Sequence, residues 1–107
     1  MGRNWQLMYD VLKTLINEGY LKKEMFDFVH EYHLHLLHDI CAVKVTTDNY
    51  YTFTWLGVEI MDVLQSMIND GIDLNSIDGN HPRIVNCINP CIERMHEKRK
   101  KKPNAVV

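Results

Sequence analysis

Apolar positions along the chain change their spacing twice, and those changes predict the elements. In "NWQLMYDVLKTLINEGY" the residues Trp5, Met8, Leu12, Leu15 and Ile16 recur every three or four positions, as on one face of a helix. Asn4 is placed to cap its start, and Gly19 supplies the left-handed residue that commonly ends a helix. "KKEMFDFVHEYHLHLLHDI" follows without glycine or proline and is expected to be a second long helix over 24–40. Its apolar set (Met25, Phe26, Val29, Tyr32, Leu36, Leu37, Ile40) is wide enough for packing on two sides. The period then shortens. "VKVTTDNYYTFTW" is rich in β-branched and aromatic residues around the turn-forming "TDN", which predicts a hairpin with strands at 42–46 and 50–54. Helical spacing returns in "LGVEIMDVLQSMINDG" through Ile60, Met61, Leu64, Met67 and Ile68, and Gly71 ends that run. After a loop, Pro82 and Pro90 each suit a first helical turn, so a short segment at 83–89 and a last helix from 90 onward are expected.

The predicted fold class is α+β and mostly helical, winged helix-turn-helix-like: helix, long helix, β-hairpin wing, helix, then an extra C-terminal helical segment. The boundaries are a core at 1–71, a loop at 72–81, the C-terminal segment at 82–102 and a disordered tail at 103–107. Trp5, Leu12, Leu36, Leu37, Trp55, Ile60 and Leu64 are expected in the core. Ile84, Ile88, Ile92 and Met95 form an amphipathic set that either pairs two copies or covers the chain's own core.

Three blocks, "NWQLMYDVL", "YHLHLLH" and "FTWLGVEIMD", stand in an order that resembles the small bacterial and phage proteins grouped as domain of unknown function 2513. The resemblance covers roughly residues 3–65 and implies a small winged-helix-like protein with no enzymatic activity. The chain departs from that pattern in three places. The segment before "YHLHLLH" is compressed, the usual Gly-His is Gly57-Val58, and nothing after about Gly71 corresponds.

Length and composition agree with one modest core: 107 residues, 46% hydrophobic and 24% charged. No apolar run approaches the roughly 18 residues of a membrane span. The N-terminus lacks a signal-peptide core, and three cysteines are an odd count, so a cytoplasmic, reducing location is expected. The net charge of −2 hides a segregation. Residues 1–80 hold five Lys/Arg against twelve Asp/Glu, a net of −7, whereas 81–107 hold seven against two, a net of +5.

"HEYHLHLLHD" invites a metal reading. On a helix His30 and His33 are neighbours, as are His35 and His38, but His33 and His35 lie about 200° apart, so the pairs diverge. Zinc needs three or four converging ligands. Packing and surface polarity are therefore preferred, and no metal or other cofactor is expected. His81, Cys87, Cys91 and His96 match no common zinc spacing either, and the cysteines read better as buried small hydrophobes. There is no Gly-rich phosphate loop, nucleophile elbow or His-Glu-x-x-His, so no enzyme is expected.

A winged helix suggests DNA, yet the expected recognition helix carries Glu24, Asp27, Glu31 and Asp39 and no Lys or Arg. The leading expectation is a phage-derived protein-interaction module. It would bind and inhibit or redirect a host bacterial protein with a basic groove, such as a nucleic-acid-handling or defence complex. Asp27, Glu31 and His35 on the helix and Thr47, Asp48, Asn49, Tyr50 and Tyr51 on the hairpin are its expected contacts. The alternative is a DNA-binding transcriptional regulator that grips phosphates through Lys44 and the tail residues Lys98, Arg99, Lys100, Lys101 and Lys102. A homodimer is also expected.

Overall fold

The computed structural model describes residues 3–101, with side chains through Lys98. Helix α1 spans Trp5–Glu18 and is capped as its sequence predicts: Asn4 Oδ1 accepts from the Leu7 N–H at 3.0 Å. Gly19, at φ 90°, ends it by donating its N–H to the Leu15 carbonyl at 2.7 Å. The chain then forms a short strand, β1 (Tyr20–Lys22), and one 3₁₀ turn over Lys23–Met25. Helix α2 spans Phe28–Asp39, strands β2 and β3 span Val43–Val45 and Tyr50–Phe53, and helix α3 spans Trp55–Asn69. Helix α4 (Asn89–Lys101) follows a π-helical turn at Ile84–Ile88. Among the described residues no helix is long and apolar enough to cross a membrane.

The architecture is α+β and mostly helical. The sheet has three antiparallel strands in the order β1-β3-β2, where the sequence predicts only a hairpin. The second helix correspondingly begins at Phe28, later than expected. Asp27 caps it by accepting from the His30 N–H, and the residues just after Gly19 are drawn into pairing with β3 (Leu21 opposite Tyr51). A three-residue strand carries no periodicity of its own. The hairpin itself closes through Thr46 and Tyr50, with Asn49 at φ 64° supplying the left-handed residue of a three-residue loop.

The core gathers Trp5, Met8, Leu12 and Leu15 of α1, Leu34 and Leu37 of α2, and Leu56, Ile60, Leu64 and Met67 of α3. Leu74, Ile84 and Ile88 complete it from the C-terminal part. Two expected core residues fall elsewhere. Leu36 is only partly buried, and Trp55, the first residue of α3, is 78% exposed. The close approach is made by Gly57 instead. A Cβ there would lie 2.3 Å from the Ala42 carbonyl oxygen, which already accepts from the Thr54 N–H at 3.0 Å.

The expected break at Pro90 does not occur. The helix continues through it after one widened turn, in which the Asn89 N–H donates to the Ile84 carbonyl. A proline ring inside a regular helix collides with the carbonyl four residues earlier. The π turn relieves that collision and keeps Ile84 and Ile88 on the core. Ile92 and Met95 pack against the same core but stay only partly buried, so the amphipathic set covers the chain's own core while its outer margin remains accessible. Cys87 is exposed and Cys91 half-buried, so neither is the buried hydrophobe the sequence suggests. The continuous helix instead points the Cys91 thiol back at the Cys87 carbonyl, 3.2 Å away.

Candidate docking surface

The four histidines of α2 separate into different tasks. His33 is fully buried and both ring nitrogens are satisfied: Nε2 accepts from the Asn4 N–H at 2.9 Å, and Nδ1–H donates to the Val29 carbonyl at 2.9 Å. This fixes the neutral Nδ1–H tautomer and ties the start of α1 to α2. His30 pairs with Asp27 at 2.8 Å, and His35 lies 3.4 Å from Glu31. His35 and His38 meet the Tyr51 ring edge to face, with centroids 6.3 and 6.0 Å away. Those contacts hold β3 against α2. Among the described residues no three His, Cys, Asp or Glu side chains come together as a metal would require.

Asp27 caps α2, and its side chain is still 68% exposed. Its Oδ1 accepts from the His30 backbone N–H and meets His30 Nδ1, both at 2.8 Å. These bonds to the His30 backbone and ring hold its carboxyl below the ordinary value of 3.8. Together with Asp10, Thr14, Leu21, Met25, Phe26 and His30, Asp27 lines a depression beside α1. Glu31, His35 and Tyr51 are brought together; Tyr50 is not, since successive residues of β3 point to opposite faces of the sheet.

The hairpin tip residues Thr47, Asp48 and Asn49 are exposed. Asp48 and Asn49 form one wall of a cleft of 430 Å³, with Val45 and Tyr51 beside them. Lys22, Lys23 and Glu24 form the other. Sequence periodicity missed this wall because it ran the chain from Gly19 straight into a helix starting at Glu24, with no strand or turn between. The one available signal was the Asp27-Phe28 pair, a capping residue followed by a first-turn position.

At one residue per 100°, Phe28, Glu31, Tyr32, His35 and Asp39 share one side of α2, opposite the buried His33, Leu34 and Leu37. Phe28 is 76% exposed and Met25, in the preceding turn, 69%. This side carries apolar rings and two carboxylates and no cation. The basic candidates lie elsewhere. Lys44 is exposed on β2, and Lys98 lines a groove along α4 with Pro90, Glu93, Arg94 and Glu97. Arg99, Lys100 and Lys101 continue α4 without described side chains, and Lys102 lies outside the described residues.

No protein-family model matches the chain, and no curated protein or solved structure matches it. The comparisons therefore lend no support to the resemblance to domain of unknown function 2513.

Proposed function

We propose that the protein is a non-enzymatic, winged-helix-like interaction module that binds another protein through the outward side of α2 and the adjacent cleft. The element order supports the winged-helix reading: a strand after α1 pairs with the second strand of a hairpin that follows α2. The 3₁₀ turn at Lys23–Met25 then stands where such domains have a second helix.

The observation that carries the proposal is the composition of the outward side of α2. In a DNA reader this helix enters the major groove, and binding depends on Lys and Arg neutralising phosphates. Here exposed Phe28 shares the side of α2 that carries Glu31, Tyr32, His35 and Asp39 and no Lys or Arg, so a duplex is repelled. Exposed aromatic rings ringed by charge are the usual anchors of protein interfaces. The complementary partner is a protein with a basic groove floored by apolar side chains. Nucleic-acid-handling proteins have such grooves.

The test is a photo-crosslinking residue at Phe28, with one at exposed Lys13 on α1 as control, in host lysate. The proposal expects one dominant protein adduct at position 28 and none at 13. It also expects Glu31→Lys with Asp39→Lys to weaken that complex most at low salt. Tight duplex binding that α2 substitutions abolish would transfer the function to transcriptional regulation.

A further inference from the structure

The outward face of the sheet is built differently from the outward side of α2. Residues directly opposite one another across antiparallel strands share a face, so the pairings sort the side chains. Tyr20, Thr52 and Lys44 form one row, since Tyr20 and Lys44 both lie opposite Thr52. Lys22, Tyr50 and Thr46 form the next: Lys22 lies opposite Tyr50, and the Thr46 N–H donates to the Tyr50 carbonyl at 2.8 Å. Each row contains one tyrosine, one threonine and one lysine. Leu21, Tyr51 and Val43 point the other way and pack against the core.

The two rows form one surface. The Tyr20 and Tyr50 rings meet edge to face with centroids 5.2 Å apart, and the Lys22 ammonium sits 5.5 Å above the Tyr50 ring. Tyr20 is 59% exposed, and Lys22 and Lys44 are exposed. Among the described residues neither lysine is ion-paired. With strands about 4.8 Å apart and a rise of about 3.4 Å per residue, the two lysine Cα atoms lie about 12 Å apart, at diagonal corners. A cation thus stands on either side of an aromatic pair. The carboxylate-rich side of α2 offers nothing comparable.

We propose that this sheet face binds single-stranded nucleic acid, stacking an unpaired base on Tyr20 and receiving backbone phosphates at Lys22 and Lys44. Stacking on a protein ring requires a base free of its own helix, and a flat sheet face cannot enter a duplex groove. Cations spaced along an aromatic surface track a phosphodiester chain, with little preference for sequence. The site shares Lys22 with the cleft proposed to dock a protein, where Glu24 and Asp48 also lie, whereas Tyr20 and Lys44 do not line that cleft, so the Tyr20 variants test this assignment independently of the other.

The test measures fluorescence anisotropy of fluorescein-labelled oligothymidylate with the full chain, across a salt series, against the parent and three variants. Lys22→Glu with Lys44→Glu removes two phosphate contacts. It should flatten the salt dependence by about 1.4, at about 0.7 per contact for a single strand, whatever the basic tail adds. Tyr20→Ala should weaken binding about tenfold while leaving the salt dependence unchanged, and Tyr20→Phe should retain the parent affinity. Thermal unfolding midpoints confirm that the exposed substitutions leave the fold in place. The proposal is overturned if all variants bind like the parent, which would leave the tail as the only contact. It is also overturned if a duplex binds as tightly as the single strand, or if polyglutamate displaces the oligonucleotide equally well from the parent and from Tyr20→Ala.

Discussion

Single residues here divide by what surrounds them more than by their type. His33 is an imidazole that the fold uses as a linker, accepting from Asn4 and donating to Val29. Replacing it with alanine removes both bonds, leaves the Asn4 N–H without its acceptor and opens a void at a fully buried position. His33→Ala should therefore cost about 2–4 kcal/mol in a urea titration. The two tryptophans make a second contrast. Trp5 is 2% exposed and Trp55 78%, so Trp5→Ala should cost about 3–5 kcal/mol and Trp55→Ala about half a kcal/mol or less. The sequence separates the first pattern from the second poorly: both tryptophans open a helix directly after a capping residue, Asn4 or Thr54, and only the packing around each ring tells them apart. Gly57 is a third case. A methyl group there meets the Ala42 carbonyl, so Gly57→Ala should destabilise by about 1–3 kcal/mol although alanine favours helices. That glycine looks ordinary in sequence, because the approach that requires it comes from a carbonyl fifteen positions away.

Elements were legible where they were long. The first and third helices, their Asn4 cap and the glycines that close them follow from periodicity and cap chemistry, and so does the hairpin with its Thr-Asp-Asn loop. Strand β1 was not legible, since three residues next to a glycine show no alternation and acquire strand character only by pairing with β3. Its absence from the reading pulled the start of α2 forward and hid the cleft wall of Lys22, Lys23 and Glu24. The cap of α2 now supplies a pH prediction. The His30 backbone and ring lower the carboxyl pKa of Asp27 in the folded chain. The stabilisation from this ionised cap is therefore present above its unfolded value near 3.8 and is lost as pH falls through the lower folded value. Asparagine caps nearly as well but does not ionise. Asp27→Asn should lower the urea midpoint at neutral pH, and the gap to the parent should close as the pH drops below that carboxylate range. A gap that is constant with pH would remove the ionised carboxylate from the account. The same geometry excludes Asp27→Lys from any test of surface charge, because a lost cap would imitate a lost interface; Glu31 and Asp39 serve instead.

At the scale of the molecule, the C-terminal segment decides whether the rest can stand. Ile84 is 1% and Ile88 0% exposed, and both share one cluster with residues of α1, α2 and α3, as does Leu74. Arg83 adds an ion pair to Asp70 at the end of α3. Fully burying an isoleucine contributes about 1.5–3 kcal/mol, so the two isoleucines and Leu74 together approach the 5–15 kcal/mol that is the whole stability of an ordinary domain. A chain ending at Gly79 keeps Leu74 but uncovers the site that Ile84 and Ile88 fill. It should lose its cooperative unfolding transition in urea, or show a midpoint far below the parent, and expose apolar surface that draws it into aggregates. That outcome bears on self-association as well. Once Ile84 and Ile88 are committed to the chain's own core, concentration-dependent association of the shortened chain in sedimentation would report uncovered core and not a native interface. A sound test of oligomeric state therefore uses the full chain, with Ile92→Asp as its probe at the half-buried margin of the cluster. If two copies do pair through α4, that change should separate them while the buried isoleucines hold the fold. If the full chain sediments as one copy with and without it, the segment serves only its own core. A Gly79 truncation that unfolds cooperatively near the parent midpoint would show the reverse, that the three helices and the sheet are self-sufficient and the last helix is an appendage.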